Sequence, residues 1–374
     1  MLLLKELKKE IVAGSAIQTF HFFIQWHLTE RCNLSCRHCY QKKRTAREMT
    51  PEEIKAQIDG AMDMFQAWEE EQGMTLSPSI HFTGGEPFLY GKLWDVVAHA
   101  RELGCQTAIL SNGSLIDRSD AHQAKLLGVS EIQISLEGPR DIHETIRGKG
   151  SFDAALRGAR ILAENGQNVT ANVTLSRLNA DRIEETVETA KAAGFGSIGF
   201  SRLVPCGSGQ DLLTHMLSPQ QTRKAFHQAL DLNSPAFEVS SGDPLATILA
   251  GVKPAAGCSL ALSGCSAGFS GVTITSDGTV MPCRRIGLPA GHLRKASLRQ
   301  IWATSRLLWR LRNRNSYQGN CGHCELWPVC RGCRAVAYAC SAAQGKADLF
   351  ADDPQCWLIN QGENPPSWKS SSSS

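Results

Sequence analysis

Three cysteines in one short stretch, Cys32, Cys36 and Cys39, constrain this chain more than any other feature of its sequence. The spacing brings three thiolates into a single loop, and soft thiolate sulfur selects iron–sulfur clusters, zinc or Cu(I) over hard cations. A structural zinc site normally uses four protein ligands, whereas a cubane held by three cysteines leaves one iron open. The loop therefore predicts a metal centre with an open position; the alternative is three reduced thiols in a turn.

The composition narrows the class of protein. The 374 residues are enough for a large domain plus a small one, and a net charge of +3 without a polybasic stripe predicts no nucleic-acid partner. Residues 1–11 carry scattered charges and no apolar signal-peptide core, and no run approaches transmembrane length, so we expect no membrane partner and a cytoplasmic location. Fourteen cysteines in a reducing compartment indicate metal rather than disulfides.

Strand-like and helix-like segments alternate through the first part of the chain. The helix after the cysteine loop has an N-cap at Thr50, a proline at its first position and a capping-box glutamate, Glu53. Six strand–helix units imply a parallel sheet and are too few to close an eight-stranded barrel, so the predicted fold class is α/β, an open partial (β/α)6 barrel. Spacing alone would also allow a doubly wound sheet. The predicted strands are 21–28, 79–83, 106–111, 131–135, 169–176 and 197–203, and the later helices are 153–165 and 180–193, the last opened by Asn179.

The pattern changes after the sixth strand. Ser218 caps one further helix, and the Gly/Pro/Ser-rich passage 233–257 is interpreted as a linker. A small cysteine-rich α+β domain follows, in which Asp277-Gly278 predicts a type I′ hairpin turn and 297–312 a helix. The predicted segments are 1–19 (N-terminal segment), 20–210 (barrel), 211–257 (helix and linker), 258–360 (cysteine-rich domain) and 361–374 (disordered tail).

Polar and glycine residues stand where the predicted strands end. The turn Thr83-Gly-Gly-Glu-Pro87 follows the second strand, and its paired glycines let a ligand approach the backbone closely. Ser111-Asn112 and Ser135 end the next two strands on the same side. Cys206 follows the sixth strand at this carboxyl edge, where barrel enzymes place their chemistry, so we predict a catalytic role for it, facing substrate or redox-active.

The cysteine loop, with aromatic Tyr40 directly after Cys39, resembles the signature of the radical S-adenosylmethionine (radical SAM) enzymes. The resemblance implies a [4Fe-4S] cluster whose open iron binds the amino and carboxylate groups of SAM. One electron then breaks the S–C5′ bond, and a 5′-deoxyadenosyl radical takes a hydrogen atom from the substrate. Cluster and cofactor carry this chemistry, and the protein supplies binding and orientation.

Other motifs extend the resemblance to the SAM site. The glycine turn resembles the family's Gly-Gly-Glu-Pro motif, in which Glu86 would help to hold the SAM amine. Ser135-Leu-Glu-Gly138 resembles the family's Ser-Leu-Asp-Gly, from which Glu137 departs. Arg147 lies where related enzymes carry an arginine near the SAM carboxylate. The residues that the resemblance places against SAM are Gly84, Gly85, Glu86, Ser111, Asn112, Ser135 and Arg147.

Nine cysteines crowd into the tail, and eight of them form the candidate ligand sets. Zinc is the rival metal because Cys321-x2-Cys324 and Cys330-x2-Cys333 look like paired knuckles, but only five residues separate them, fewer than a zinc ribbon uses. The tail instead resembles the SPASM domain, which holds two auxiliary [4Fe-4S] clusters. The resemblance implies one cluster on Cys258, Cys265, Cys283 and Cys333 and another on Cys321, Cys324, Cys330 and Cys356, with Cys340 as the alternative to Cys356.

Together the two resemblances imply a radical SAM/SPASM oxidoreductase. Most relatives with this architecture modify ribosomally made peptides or proteins, so we predict a peptide maturase. Only about thirty residues precede Cys32, too few for a peptide-recognition domain, so this prediction needs a separate recognition protein or a short leader groove. A flavodoxin- or ferredoxin-type protein is the expected electron donor. The alternatives are side-chain modification of a tetrapyrrole in heme or heme d1 synthesis and, from another class, a non-catalytic multi-cluster electron carrier.

Overall fold

The computed structural model describes residues 19–41, 47–254 and 263–359 of the chain. Three predictions lie outside the described residues. They concern the N-terminal segment before residue 19, the ligand Cys258 with the start of the second domain, and the terminal serines.

In the described part of the chain, ten strands form one sheet. They are β1 (Thr19–Thr29), β2 (Thr75–Gly84), β3 (Gln106–Ser111), β4 (Glu131–Ser135), β5 (Val169–Leu175), β6 (Ser197–Arg202), β7 (Glu238–Ser240), β8 (Gly271–Ile274), β9 (Thr279–Met281) and β10 (Gly291–His292). Their order is β10-β9-β8-β1-β2-β3-β4-β5-β6-β7, and β1 to β7 run parallel. The predicted partial (β/α)6 barrel is confirmed.

At least one helix follows each of the strands β1 to β6. The described helices are α1 (Pro51–Gln72), α2 (Leu93–Glu102), α3 (Arg118–Leu126), α4 (Arg140–Arg147), α5 (Ser151–Glu164), α6 (Ile183–Ala192), α7 (Pro219–Asp231), α8 (Pro244–Leu249), α9 (Leu298–Thr304), α10 (Arg306–Arg312), α11 (Gly319–His323) and α12 (Arg334–Ala343). Thr50 and Ser218 cap α1 and α7 through capping boxes, as predicted. Within the described ranges, none of these helices is both long and apolar enough to cross a bilayer.

One predicted helix start is wrong. Helix α6 begins at Ile183, and Asn179 does not cap it. The Asn179 side-chain amide donates instead to the carbonyls of Glu137 (2.9 Å) and Thr174 (3.0 Å), while its oxygen accepts from the Ser176 N–H. Because these contacts span two strand ends, Asn179 ties the β4 and β5 loops together.

Aromatic packing joins the tail to the barrel. Phe22 of β1 is fully buried, and its ring lies 5.1 Å from Phe65 and 5.8 Å from Trp68 of α1. Trp302 of the tail helix α9 packs edge-on against the same Phe22 ring at 4.9 Å. Aromatic groups of this size dominate core energetics, so the tail shares a core with the barrel.

The segment 233–257, predicted as a linker, is partly regular. Strand β7 pairs with β6, Val239 is fully buried, and the Ser241 hydroxyl donates to the Phe200 carbonyl at 2.6 Å. Helix α8 follows with Asp243 as its N-cap. The linker prediction is wrong here because a three-residue strand is too short to show an alternating pattern.

The predicted tail hairpin is present as β8 and β9, and β8 also pairs in parallel with β1. The barrel sheet therefore continues into the tail. The turn is not type I′, because Gly278 has a positive φ of 92° and Asp277 does not. The Asp277 carboxylate accepts instead from the Thr275 hydroxyl (2.6 Å) and the Thr279 N–H (3.0 Å), which holds the turn without left-handed backbone at Asp277.

The predicted helix 297–312 is interrupted at Ser305, whose backbone is extended (φ −64°, ψ 114°). Leu298 of α9 is buried in the barrel core, whereas Leu308 and Leu311 of α10 are buried in a second apolar cluster around Trp327. The break follows because one straight helix cannot present its apolar side to two different cores.

Candidate active site

A cavity of about 440 Å³ opens at the carboxyl ends of the parallel strands. Its wall combines the cysteine loop with polar side chains from the ends of successive strands and with two arginines of the tail. This is the edge at which barrel enzymes place their chemistry. Residues at the ends of β2 to β6 that line it are Gly84, Ser111, Ser135, Thr174 and Arg202.

Cys32, Cys36 and Cys39 all line this cavity. The Leu34 N–H donates to Cys32 Sγ at 3.4 Å, and Arg147 Nη1 lies 3.8 Å from Cys36 Sγ. Burial raises the pKa of Cys36 to about 11 although the Arg147 charge lowers it, so its thiolate needs positive charge beyond that arginine. A metal centre supplies that charge, and the donor set of three thiols beside an open cavity fits a cluster held by three cysteines.

The described cysteines do not form a complete binding site for a single metal ion. Among residues 19–41, 47–254 and 263–359, no group of three or more His, Cys, Asp and Glu side chains is placed to hold a single metal ion. The fit to a cluster therefore depends on the donor chemistry and on the shared cavity wall.

The paired glycines of the β2 turn are required by the chain itself. A Cβ on Gly84 would lie 2.2 Å from the Thr29 carbonyl oxygen, and one on Gly85 would lie 2.1 Å from that of Arg31. The N–H groups of Gly85 and Glu86 donate to the same two carbonyls, both at 2.8 Å. The turn is thus bonded to the start of the cysteine loop, while Gly84 and Gly85 also line the cavity where SAM contact is predicted.

Glu86 is fully buried beneath the cavity wall and does not line the cavity. Its carboxylate accepts from the Ser111 hydroxyl at 2.7 Å and from the Asn112 N–H at 2.9 Å. Burial raises the pKa of Glu86 to about 6 despite these bonds. The structure thus places Glu86 as a brace for Ser111 and Asn112, both of which do line the cavity, and the predicted direct contact with the SAM amine stays a prediction.

Replacing Glu86 by Gln is expected to weaken SAM binding some ten- to hundredfold, equivalent to a charge-assisted bond of about 1.5–3 kcal/mol. An amide turns one acceptor into a donor, which then faces the N–H of Asn112 or the hydroxyl of Ser111. Isothermal titration with SAM at equal iron content measures the effect. The matched variant Glu102→Gln, at the surface end of α2, should bind normally; unchanged binding by Glu86→Gln would show that the brace has no part in the cofactor site.

Glu137, Arg147 and His38 form an ion cluster beside the cysteine loop. Glu137 Oε1 accepts from Arg147 Nε (2.9 Å) and Nη2 (2.6 Å) and lies 3.1 Å from His38 Nε2. Burial alone would raise the pKa of Glu137, but Arg147 and His38 hold it below its ordinary value. Glu137, whose longer side chain departs from the family pattern, therefore fixes the position of Arg147. The Nη1 of Arg147, which does not bond to Glu137, faces Cys36. Arg147 and Cys36 both line the cavity wall where the SAM carboxylate is predicted to bind.

Asn112 and Ser135 lie where the sequence predicts them, on the cavity wall. The Asn112 amide donates to Asn33 Oδ1 at 2.9 Å and lies 4.0 Å from Cys32 Sγ, which links the end of β3 to the cysteine loop. Polar groups from two strands and the three thiols therefore share one surface, as a site for a charged, polar cofactor requires.

Cys321, Cys330 and Cys356 come together in the tail. The Gly332 N–H donates to Cys330 Sγ at 3.3 Å, and a Cβ on Gly332 would lie 3.4 Å from Cys321 Sγ, so these two thiols flank one glycine. Cys356 is buried in the same apolar cluster as Cys330. Buried Arg334 places Nη2 3.7 Å from Cys321 Sγ, and its Nε has no hydrogen-bond partner in the described structure. A buried cation beside the Cys321 thiol, without a carboxylate partner in the described ranges, fits a thiolate-ligated cluster, which is negatively charged. Half-buried Cys324, the fourth predicted ligand, lies one turn from Cys321.

Cys340, the alternative ligand, is placed differently from Cys356. It is buried in the tail's apolar cluster with its Sγ 3.5 Å from Met216 Sδ. The structure therefore favours Cys356 as the companion of Cys321 and Cys330. Of the other predicted set, Cys265 lies near Cys333, whose pKa is raised to about 12 by burial and then by the Cys265 charge.

Cys206 does not line the cavity. Burial raises its pKa to about 11 against the lowering charge of Arg285, and the charges of Cys283 and Cys39 contribute to the rise, which places its thiol near both the cysteine loop and the tail. The next residue, Gly207, packs on the loop, where a Cβ would lie 2.5 Å from the Cys39 carbonyl oxygen. A catalytic role for Cys206 stays a prediction that this placement does not support.

The sequence analysis missed three arginines of the site. Arg284 and Arg285 line the cavity from the tail, and their signal was the pair of basic residues directly after Cys283. Arg202, at the end of β6, is 1% exposed and makes paired bonds of 3.0 and 2.8 Å to the Asp353 carboxylate. Asp353 in turn accepts from the Cys333 N–H at 2.8 Å, so Arg202 connects the cavity wall to a cysteine predicted as a ligand in the tail.

A three-cysteine loop at the open edge of a partial barrel, with a cysteine-rich unit on the same sheet, defines an iron–sulfur enzyme. Residues 26–190 match the radical SAM superfamily, and residues 265–334 match SPASM, an iron–sulfur cluster-binding domain. The chain belongs to the radical SAM superfamily and carries a SPASM domain. Membership implies SAM, a [4Fe-4S] cluster and auxiliary iron–sulfur clusters.

Several characterised proteins are similar along most of their length. The AdoMet-dependent heme synthase of Oleidesulfovibrio alaskensis is 27% identical over 350 residues, covering 89% of this chain and 86% of that protein. The Fe-coproporphyrin III synthase of Methanosarcina barkeri is 30% identical over 368 residues, covering 90% and 88%. The mycofactocin maturase of Mycolicibacterium smegmatis is 28% identical over 349 residues, covering 89% and 82%.

Two solved structures share the fold. Streptococcus suis SuiB bound to its precursor peptide SuiA aligns with a TM-score of 0.68 at 18% identity, covering 95% of this chain and 79% of that one. Native anSMEcpe with bound AdoMet aligns with a TM-score of 0.64 at 19% identity, covering 85% and 90%.

Proposed function

We propose that this radical SAM enzyme abstracts hydrogen from a tetrapyrrole that carries carboxylate side chains. The observation that carries the proposal is the pair Arg284 and Arg285 in the cavity wall. Within the described ranges, neither arginine forms a salt bridge with an aspartate or glutamate. This replaces the peptide substrate as the preferred interpretation.

The bonds of the two arginines leave donors for a ligand. Arg284 Nη1 donates to the side-chain oxygen of Gln25 at 2.8 Å, and its guanidinium lies 5.5 Å from the centre of the Tyr40 ring. Arg285 Nη1 donates to the Arg202 carbonyl at 3.3 Å. Each guanidinium has five N–H donors, so most remain available to an acceptor in the cavity.

The charge of this pair favours an anionic ligand. Burial, and next the adjacent charge of Arg285, lower the pKa of Arg284 below its ordinary value. A carboxylate placed between the two guanidinium groups would relieve that repulsion and accept bidentate bonds, which arginine forms better than lysine. Because a tetrapyrrole carries several such groups, it can engage both arginines while its macrocycle occupies the cavity.

The similar proteins support this substrate class. Relatives named AdoMet-dependent heme synthase and Fe-coproporphyrin III synthase match across 86 to 95% of their own length. A pre-heme d1 synthase of Dinoroseobacter shibae also matches, at 26% identity. The arginine pair in the cavity wall of this chain is suited to the carboxylate side chains of such a substrate.

The remaining residues then have defined tasks. When bound, cluster and SAM supply a one-electron cleavage that yields a hydrogen-abstracting radical. Arg284 and Arg285 orient the substrate carboxylates, Arg147 and the β3 and β4 ends hold the cofactor's polar groups, and the surrounding wall limits water. We propose two auxiliary clusters in the tail, on the ligand sets predicted from the sequence.

Binding of an iron porphyrin with propionate side chains tests the proposal. Arg284→Gln and Arg285→Gln are each expected to weaken binding about ten- to hundredfold, the loss of one charge-assisted contact. The measurement is a titration of the porphyrin absorbance under anoxic conditions. Arg294→Gln, which alters a tail arginine paired with Glu53 at the surface, is the matched control and should bind normally.

The ligand supplies a second control. The methyl ester of the same porphyrin keeps the macrocycle but loses the negative charges, so it should bind weakly to the unmodified protein and equally weakly to both variants. If the ester binds as tightly as the free acid, the arginine pair does not recognise carboxylates and the proposal fails.

A peptide is the second candidate substrate, favoured by the 28% identity to mycofactocin maturase over 349 residues. A peptide's carboxyl terminus or acidic side chains would meet the same two arginines. Competition separates the candidates: a tetrapyrrole substrate predicts that porphyrin is not displaced by a peptide, and displacement at equal concentration would favour the peptide.

A further inference from the structure

An acid-free stretch runs through the tail. Residues 278–324 contain eight arginines and one lysine but no aspartate or glutamate. The net charge of +3 conceals this stretch, because acidic residues elsewhere balance it. The sequence analysis, which relied on net charge, therefore overlooked a basic surface.

The arginines of this stretch fall into groups with different surroundings. Arg294 and Arg299 are neutralised by Glu53 and Glu71 of α1. Arg312 bonds to backbone carbonyls inside the tail. Arg294 and Arg299 thus join the tail to α1, Arg312 braces the tail internally, and these three are already occupied.

Arg306 and Arg310 of α10 are exposed, and in the described part of the chain no carboxylate pairs with either of them. Trp309 lies between them in sequence and is 58% exposed. Residues three and four apart share one side of a helix. We call Arg306, Trp309 and Arg310 the basic face. It presents two cations without carboxylate partners, of which Arg310 lies over the Phe350 ring at 4.4 Å, and one large exposed aromatic group.

The basic face adjoins the loop that bears two predicted cluster ligands. Arg314, just beyond α10, donates to the carbonyl of Gly322 at 2.9 Å and to that of Cys324 at 3.0 Å. Cys324 is only half-buried. A partner on the basic face would therefore lie near the Cys321–Cys324 loop.

We propose that the basic face docks a small acidic one-electron carrier protein, which passes an electron to the tail cluster on Cys321, Cys324, Cys330 and Cys356. The reduced carrier is oxidised by one electron and the cluster is reduced by one, and no proton or group is transferred. Positive surfaces steer acidic partners, and electron-transfer contacts are small, which suits a face of three exposed side chains. A nucleic acid or a membrane would need a wider basic surface than this one. The proposal rests on the tail cluster proposed above and does not depend on the identity of the substrate.

Flavodoxin, an acidic flavin protein, is the probe. Calorimetry gives its affinity for the reconstituted enzyme at low and high salt, and stopped-flow absorbance follows oxidation of the reduced flavodoxin. The double variant Arg306→Glu/Arg310→Glu is expected to lose at least about tenfold in affinity and in rate at low salt, with little loss at high salt. Reduction of the same variant by dithionite should be unchanged, because a small reductant needs no docking face.

The control variant replaces two arginines by glutamate on the barrel, away from the basic face. Arg118→Glu/Arg223→Glu alters two exposed arginines on barrel helices α3 and α7. It should bind flavodoxin nearly as the unmodified protein does. Equal losses in both double variants, or no loss in the tail variant, would overturn the proposal. Tight binding of the basic face to an RNA oligonucleotide or to anionic lipid vesicles, without binding of flavodoxin, would also overturn it.

Discussion

Replacing Cys32, Cys36 and Cys39 together by alanine is expected to abolish SAM cleavage and to lower the iron content of the reconstituted protein from about twelve atoms to about eight. The three thiols line the cavity, whereas Cys321, Cys330 and Cys356 are buried within the tail. The tail clusters should therefore assemble without the first one. Iron and sulfide analysis and quantification of 5′-deoxyadenosine measure the two effects.

Cys105→Ala is the matched control. Cys105 is fully buried, with its Sγ 3.4 Å from Met62 Sδ, and belongs to no predicted ligand set. This variant should keep all its iron and its SAM cleavage. Zinc in the tail, or about four iron atoms in the unmodified protein, would contradict the auxiliary clusters, and residual cleavage by the triple variant would contradict the role of the loop.

Asp353→Asn is expected to reduce the free energy of unfolding by about 3–5 kcal/mol. The Asp353 carboxylate is fully buried and holds both Nη atoms of Arg202 and the Cys333 N–H. An amide leaves part of the Arg202 charge uncompensated in the interior, with Asp243 as its remaining carboxylate partner. The loss should also loosen the tail loop that bears Cys333 and Cys356. Anoxic urea unfolding followed by circular dichroism provides the measurement.

The control variant Asp153→Asn tests whether the loss of stability comes from burial of the ion pair or from ion pairing alone. Asp153 also binds an arginine, Arg140, through two contacts, but both side chains are more than half exposed. Surface pairs of this kind contribute about 1 kcal/mol or less, so this variant should unfold almost normally. Similar losses in the two variants would show that the Arg202 network has no special part in joining barrel and tail.

Much of the barrel could be predicted because its strands are short, apolar and separated by amphipathic helices. The predicted spans 106–111 and 131–135 agree with β3 and β4, and the capping boxes at Thr50 and Ser218 fix two helix starts. These signals are local, since they depend on residues within one turn or one strand.

The contacts between distant segments could not be predicted. Pairing of β8 with β1 and of β7 with β6 depends on which sheet edges the folded chain leaves free, and neither strand is long enough to show a period. The break at Ser305 depends on two separate cores, and Asn179 acts across two loops rather than on its own helix.

The candidate site shows the same difference between local signals, which could be predicted, and long-range contacts, which could not. The cysteine motifs were visible because their spacing is itself the signal, and the structure brings Cys32, Cys36 and Cys39 to one cavity wall. The arginines were not visible in this way. Arg202 gains its role from Asp353, which is far away in sequence, and the pair after Cys283 gains its role from the cavity that it faces.

The central claim is that a carboxylate-bearing tetrapyrrole donates the hydrogen atom. The most direct measurement uses an iron porphyrin deuterated on its propionate side chains, incubated anaerobically with the reconstituted enzyme, SAM and dithionite, with mass spectrometry of the 5′-deoxyadenosine. The claim predicts that deuterium appears in the 5′-deoxyadenosine, that porphyrin stimulates its formation, and that Arg284→Gln reduces both. Deoxyadenosine formed at an unchanged rate and without deuterium would contradict it.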